Sequence, residues 1–204
     1  MSLLRSIFGP SKAEIWTQIA DEIGGEHIKP GFFKKGGLVY EHEEWTLVLD
    51  TYTVNNNNSS QTYTRMRAPF INKDGLYFKI YREGLFSSMG RFFGMQDLEI
   101  GDPYFDKNFV IKGNNQEQIR RLLMDENLKA LIETQPRISL EIRDDDGWFG
   151  SKYPAGVDQL YFVCSGVMRD KRLLHDLFDL YCCVLERLVR IDSAYEDDPR
   201  VYLL

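Results

Sequence analysis

Cysteine and histidine are scarce in this chain of 204 residues, with three of each, and long apolar runs are lacking. Its three cysteines are an odd number, and two of them, Cys182 and Cys183, are adjacent. Such a set offers no disulfide framework and is typical of buried thiols in a reducing compartment. No apolar run approaches the roughly 18 residues of a membrane-spanning helix. The opening "MSLLRSIFGPSK" has no small-residue cleavage signal, so we expect a cytoplasmic protein.

Motifs for catalysis and cofactor binding are also lacking. The sequence has no glycine-rich dinucleotide fingerprint and no P-loop, and the pair Ser87–Ser88 lacks the glycine of a nucleophile elbow. The histidines His27, His42 and His175 lie far apart. His175 and Cys182 share a helix face but are two turns apart, about 10 Å at helical rise. We therefore predict no cofactor and no metal, and an enzyme is the weaker function class.

The charge balance argues against a general nucleic-acid binder, because the formal net charge is -6. A local basic patch is still compatible with that total. The apolar fraction of 43% and the charged fraction of 27% are typical of a globular protein. We predict one domain over residues 1–204, with residues 1–10 and 193–204 either loose or docked as tails.

The order of the elements predicts an α+β fold. "SKAEIWTQIADEIGG" begins with the capping box of Ser11 and Glu14 and forms an N-terminal helix. Strand-like runs follow, and residues 38–82 resemble an antiparallel meander with turns at "NNNNSS" and "INKDG". "NNQEQIRRLLM" and "DENLKALIET" are a short helix pair, capped by Asn114 or Asn115 and by Asp125. We expect a largely antiparallel sheet with these helices packed on one face.

Two later segments have clear periodicity. "ISLEIR" alternates Ile138, Leu140 and Ile142 toward the core with Ser139, Glu141 and Arg143 pointing outward. The long C-terminal helix repeats apolar residues at steps of three and four: Leu174, Leu177, Tyr181, Val184 and Leu188. A coiled-coil dimer needs a narrower seam, so the broad stripe favours packing on the sheet of its own subunit. A monomer is the expectation, although an oligomer is not excluded by this pattern.

The stretch "GDPYFDKNFVIKGNN" has two interpretations. It predicts a structural corner in which Asp102 and Asp106 accept main-chain donors and Phe105 and Phe109 anchor the chain in the core. An acidic metal site is the alternative, with ligands drawn from Asp97, Glu99, Asp102 and Asp106. Their spacing matches no calcium loop, nor does that of "DDDG", so we favour the corner.

The same region resembles a family of uncharacterised bacterial proteins, a domain of unknown function. Its pattern is a glycine–aspartate, a phenylalanine–aspartate, an F-x-V/I strand and a double-leucine helix. The residues that carry the pattern here are Gly101, Asp102, Phe105, Asp106, Phe109, Ile111, Leu122 and Leu123. The likeness covers about residues 63–142 and includes "TRMRAPF". It implies no established activity, so no catalytic role is transferred.

One surface is a candidate binding site. In "QTYTRMRAPF" and "LYFKIYR", alternation places tyrosines and cations on one face of each strand: Tyr63, Arg65, Arg67, Tyr77, Lys79 and Tyr81. If these strands pair across "INKDG", the face would suit an anionic ligand or an acidic partner. The same residues also fit a solvated face with cross-strand cation–π contacts. The first function hypothesis is therefore a non-catalytic binding or scaffold protein.

An enzyme is the second hypothesis. The segment from Gly84 to Gly94 is apolar and glycine-punctuated, as lids often are. A pocket beneath it would draw its polar groups from Asp97, Asp102, Asp106 and His175.

Overall fold

The computed structural model describes residues 9–31, 36–56, 59–82, 96–144 and 153–203. Its helices are α1 (Lys12–Ile23), α2 (Pro103–Asn108), α3 (Gln116–Leu123), α4 (Glu126–Thr134) and α5 (Lys171–Arg190). Its strands are β1 (Glu26–Ile28), β2 (Gly37–His42), β3 (Trp45–Asn56), β4 (Ser59–Asn72), β5 (Phe78–Arg82), β6 (Gln96–Leu98), β7 (Phe109–Gly113), β8 (Ser139–Arg143), β9 (Val157–Ser165) and β10 (Ala194–Tyr195). The segment from Gly84 to Gly94 lies outside these residues.

The strands form one large antiparallel sheet. Its order is β1-β2-β3-β4-β9-β8-β5-β7-β6, and β10 pairs with the end of β4. Each neighbouring pair runs antiparallel, including the tight β3–β4 hairpin in which Asn56 opposes Ser59. The α+β class with an N-terminal helix, a short helix pair and a long C-terminal helix is confirmed.

The predicted pairing of the "QTYTRMRAPF" and "LYFKIYR" strands is wrong. These runs are β4 and β5, and β9 and β8 lie between them in the sheet. The edge of β4 is instead occupied by β9, which pairs with it from Tyr63 to Ile71, and β5 pairs with β8 and β7. The observed order instead puts Tyr161 and Glu141 between Arg67 and Lys79. The meander therefore ends at β4, and β5 belongs to the other half of the sheet.

Helix α5 packs on the sheet as its apolar stripe predicts. Leu174, Leu177 and Val184 are at most 1% exposed within the single chain. Tyr181 is also buried, and its hydroxyl donates to the main-chain oxygen of Met66 in β4 at 2.6 Å. Burial raises the pKa of this phenol well above its usual value, so the hydroxyl stays protonated as a donor. The helix thus completes the core of its own subunit.

The corner interpretation of "GDPYFDKNFVIKGNN" is confirmed. Asp102 is the N-cap of α2, where its carboxylate accepts from the amides of Tyr104 and Phe105. The carboxylate of Asp106 accepts from the main chain of residues 100 and 101. Phe105 and Phe109 are buried, and their rings stack with centroids 4.5 Å apart. Capping and packing therefore account for the acidic residues of this corner.

The expected caps of the other helices are also present. Ser11 and Glu14 form the capping box of α1, Asn115 caps α3, and Asp125 caps α4. Near the C-terminus, β10 adds to the sheet beside the last residues of β4, and Pro199 is buried. Within the described residues, no helix combines the length and the apolar character needed to cross a membrane.

Candidate functional site

The sheet face opposite the helices carries charged and aromatic side chains, which we call the charged face. Alternation along each strand and the register between strands place them together. Its ionisable members include Asp50, Arg65, Arg67, Lys79, Asp97, Lys112, Glu141 and Arg143, and its tyrosines include Tyr52, Tyr63, Tyr81 and Tyr161. The residues between them on the same strands, such as Leu49, Met66 and Leu140, belong to the core under the helices.

A single row of this face crosses six strands. Its members oppose one another in register from β4 to β6: Arg67, Tyr161, Glu141, Lys79, Lys112 and Asp97. At the outer end of the row, the Lys112 ammonium lies 3.0 Å from the Asp97 carboxylate. Charges of opposite sign lie at most two strands apart along the row, which offsets the repulsion between its cations.

Asp50 of β3 holds two arginines. Its carboxylate accepts two bonds from Arg65, with Nε at 2.6 Å from Oδ1 and Nη2 at 2.9 Å from Oδ2. The Nη2 of Arg67 donates to the same Oδ2 at 2.9 Å. Asp50 and Arg67 are at most 2% exposed. One carboxylate therefore serves two guanidinium groups, and the three side chains together carry a net positive charge.

Glu141 of β8 organises the second half of the charged face. Its carboxylate lies 3.3 Å from the Lys79 ammonium and accepts from Arg143 Nε at 2.5 Å. The Arg143 guanidinium lies 3.6 Å from the ring centroid of Tyr161, a cation–π contact. Burial lowers the pKa of Lys79, and the neighbouring Glu141 carboxylate opposes that shift. The Glu141 carboxylate therefore lies beside two cations, Lys79 and Arg143.

Tyrosines border the Asp50 cluster where it approaches solvent. Tyr52 and Tyr63 stack with centroids 5.3 Å apart, and the Arg65 guanidinium lies 5.2 Å from the Tyr52 ring. Burial, followed by the nearby Tyr161, raises the pKa of Tyr52 well above its usual value. The Arg65 side chain is 14% exposed, whereas that of Arg67 is 3% exposed. Arg65 is thus the arginine of this cluster that reaches the surface.

With this geometry established, the chain can be compared with known proteins. No family model matches the chain, and no curated protein does. Among solved structures, the chain is similar to the crystal structure of the mycobacterial trehalose monomycolate transport factor A, TtfA. The TM-score is 0.50 at 10% sequence identity, and the match covers 90% of this chain and 97% of that chain. A likeness at this identity shows the fold alone.

Most of the sequence-predicted binding residues share the charged face, although their strands are not neighbours. Tyr63, Arg65 and Arg67 lie on β4, while Lys79 and Tyr81 lie on β5. Tyr77 precedes β5, and its hydroxyl donates to Asp158 at 3.2 Å. The predicted alternation of side chains between the two faces of each strand is correct. The expectation of a solvated face fails for Arg67 and Lys79, which are 2% exposed.

Sequence reasoning did not assign several members of this face to the binding site. Asp50, Tyr52, Glu141 and Tyr161 supply carboxylates and part of its aromatic surface. Their own alternation was a usable signal, since Glu141 lies between the core residues Leu140 and Ile142. Glu141 does lie on the face opposite Leu140 and Ile142. The expectation that it is exposed to solvent is wrong, because it is 0% exposed.

The polar groups of the enzyme hypothesis have separate partners. Asp97 pairs with Lys112, Asp102 with Lys129 at 2.6 Å, and Asp106 with main-chain amides. His175 lies 2.7 Å from Glu22 of α1. Across the described parts of the chain, no group of three His, Cys, Asp or Glu side chains is placed to hold a metal ion. The proposed pocket beneath Gly84 to Gly94 lies outside the described residues.

Proposed function

We propose that the chain is a non-catalytic binding or scaffold protein of the bacterial cytoplasm. It holds an anionic ligand, or an acidic group of a partner, at the edge of the charged face next to Arg65. The sharing of one Asp50 carboxylate by Arg65 and Arg67 carries this proposal. In a protein with a formal net charge of -6, these two guanidinium groups lie on one strand, beside the stacked rings of Tyr52 and Tyr63.

The geometry supports Arg65 as the contact residue. Its guanidinium is fixed by two bonds to Asp50, so little side-chain freedom is lost when an anion binds. Guanidinium groups recognise carboxylates and phosphates through planar N–H donors, and the Tyr52 ring lies 5.2 Å from the Arg65 guanidinium. Arg67 is too deeply buried to meet a ligand without rearrangement, and it serves to hold Asp50.

The cytoplasmic assignment is supported by the cysteines. Cys164, Cys182 and Cys183 are free thiols, as in proteins of reducing compartments. The bacterial assignment is supported by the family resemblance of residues 63–142.

The test compares Arg65→Gln with Arg190→Gln, a control on a helix residue whose side chain is 63% exposed. Arg67 remains in Arg65→Gln to pair with Asp50, so the variant keeps its fold at a lowered melting temperature, and binding is measured well below that temperature. Titration calorimetry at low salt would use a polyglutamate peptide and inorganic phosphate as probes. We expect at least one probe to bind about tenfold more weakly to Arg65→Gln, the effect of losing one charged hydrogen bond. Equal binding by both variants, or no binding of either probe to the wild type, would contradict the proposal.

A further inference from the structure

A concave site lies on the helix side of the sheet, where the end of β9 meets the start of α5. Its cavity has a volume of about 290 Å³. Phe162, Cys164, Met168 and Leu173 supply its mainly apolar wall. Ligand sites in proteins are typically about 300–1,000 Å³ and mostly apolar with a few polar groups. The cavity is therefore of a size for a small organic molecule.

Hydrogen bonds fix the walls of this cavity. The side chain of Gln135, which follows α4, donates from Nε2 to the main-chain oxygen of Leu173 at 3.1 Å. On the opposite side, the amide of Met168 donates to Thr64 Oγ1 at 2.9 Å. The Met168 oxygen accepts from Trp16 Nε1 at 3.0 Å. Bonds from α1, β4 and the end of α4 thus hold the cavity open in a defined shape.

The mouth of the cavity is cationic. Arg137 and Arg169 both line it and are both exposed, and Arg137 donates from Nη1 to Ser165 Oγ at 3.3 Å. One carboxylate, that of Asp170, also lines the site, but it serves as the N-cap of α5 and accepts from the Leu173 amide. These three side chains sum to one positive charge. An apolar interior with a cationic mouth complements a molecule that has an apolar body and an anionic end.

We propose that this cavity binds a small organic anion, a carboxylate on a short aliphatic or aromatic body. The body fills the space between Phe162, Met168 and Leu173, and the carboxylate meets Arg137 and Arg169 at the mouth. The volume restricts the ligand to one smaller than a nucleotide. This site is separate from the charged face, because Phe162 and Cys164 point to the helix side of β9 while Tyr161 points to the other.

The test is a titration of ¹⁵N-labelled protein with octanoate, in which binding is monitored through the NMR chemical shifts of the main-chain amides. Octanol, which lacks the charge, and acetate, which lacks the apolar body, are the matched probes. We expect octanoate to shift the amide resonances of residues 167–173 and to bind more tightly than octanol or acetate does. Arg137→Gln/Arg169→Gln should weaken octanoate binding about fivefold to tenfold, since each exposed ion pair contributes up to about fivefold. The control Arg172→Gln, at an arginine whose side chain is 86% exposed, should bind as the wild type does.

Two results would overturn the proposal. If octanoate binds no more tightly than octanol or acetate, the cavity does not recognise an apolar body and an anionic end combined in one molecule. Equal binding by Arg172→Gln and the double variant, or shifts confined to other residues, would show that the mouth is not the anion site. Arg65→Gln leaves this cavity intact, so its effect on polyglutamate or phosphate binding is distinguishable from loss of octanoate binding.

Discussion

Replacement of Glu141 by glutamine is the sharpest test of how the charged face is held. The glutamine has nearly the same shape but no charge, so the packing of β8 is preserved. Its loss of charge leaves the Lys79 ammonium, 2% exposed, without this carboxylate at 3.3 Å. Arg143 is affected less, because its side chain is 26% exposed and also contacts Tyr161. Lys79 therefore determines the size of the effect.

Breaking a buried ion pair by removing one partner typically destabilises a protein by about 3–5 kcal/mol. We expect the lower part of this range, about 3 kcal/mol, because the glutamine oxygen still accepts a hydrogen bond. The double variant Lys79→Met/Glu141→Gln removes both buried charges and should recover most of that loss. The difference between the variants measures the coupling of the pair.

The pH dependence gives a second readout of the same variant. Burial already lowers the pKa of Lys79, and Glu141 opposes the shift, so removing Glu141 should lower that pKa further. The unfolded chain then binds a proton that the folded chain lacks. The unfolding free energy of Glu141→Gln should therefore rise with pH from the lowered pKa toward the usual lysine value. The double variant should lack this rise.

Urea denaturation followed by circular dichroism between pH 6 and pH 9 supplies these free energies. A loss below about 1 kcal/mol for Glu141→Gln would refute the reasoning, since it would place the pair among exposed salt bridges. A double variant no more stable than the single variant would refute it as well, because the loss would then not come from the effect of the substitution on Lys79.

Two further predictions concern α5 and the thiols. Leu177→Ala should destabilise the protein by about 2–5 kcal/mol, independently of protein concentration, because Leu177 is 0% exposed within one chain. The control Asp179→Ala, at an exposed position of the same helix, should be nearly neutral. A melting temperature that rises with protein concentration would instead indicate that α5 forms a dimer interface. Burial raises the pKa of Cys164 to about 11 and of Cys182 to about 12, so iodoacetamide should label the native protein slowly at pH 8 and faster as pH rises. Native labelling at pH 8 as fast as in urea would contradict this prediction.

Local patterns predicted most of the elements because local chemistry forms them. Helix caps are one example: each capping side chain accepts a hydrogen bond from a main-chain amide only three residues further along the chain. This holds for Ser11, Asn115 and Asp125. The apolar stripe predicted the buried face of α5 correctly for the same reason, since helical periodicity relates residues within one segment. The order of the strands is different in kind, because it depends on which distant segments pair.

That distinction explains the errors about the site. Alternation identified Arg65, Arg67 and Lys79 as members of one face, yet it carried no information on the strands between them. The β8–β9 hairpin supplies Glu141, 62 positions after its partner Lys79, and Tyr161, 94 positions after its partner Arg67. Burial of the cations follows from this insertion, so exposure could not be judged from β4 and β5 alone.

The long pairing of β4 with β9 also determines when the molecule can finish folding. Tyr63 meets Ser165 and Ile71 meets Val157, so the centre of the sheet joins segments about a hundred residues apart. Such non-local pairing slows folding, because a large loop must close before the contacts stabilise it. During synthesis, β2, β3 and β4 emerge well before β9. The main-chain groups along the edge of β4 that later pairs with β9 therefore lack that strand partner while the chain is still on the ribosome. Until β9 has been synthesised, the nascent chain therefore carries an exposed strand edge at which aggregation can begin.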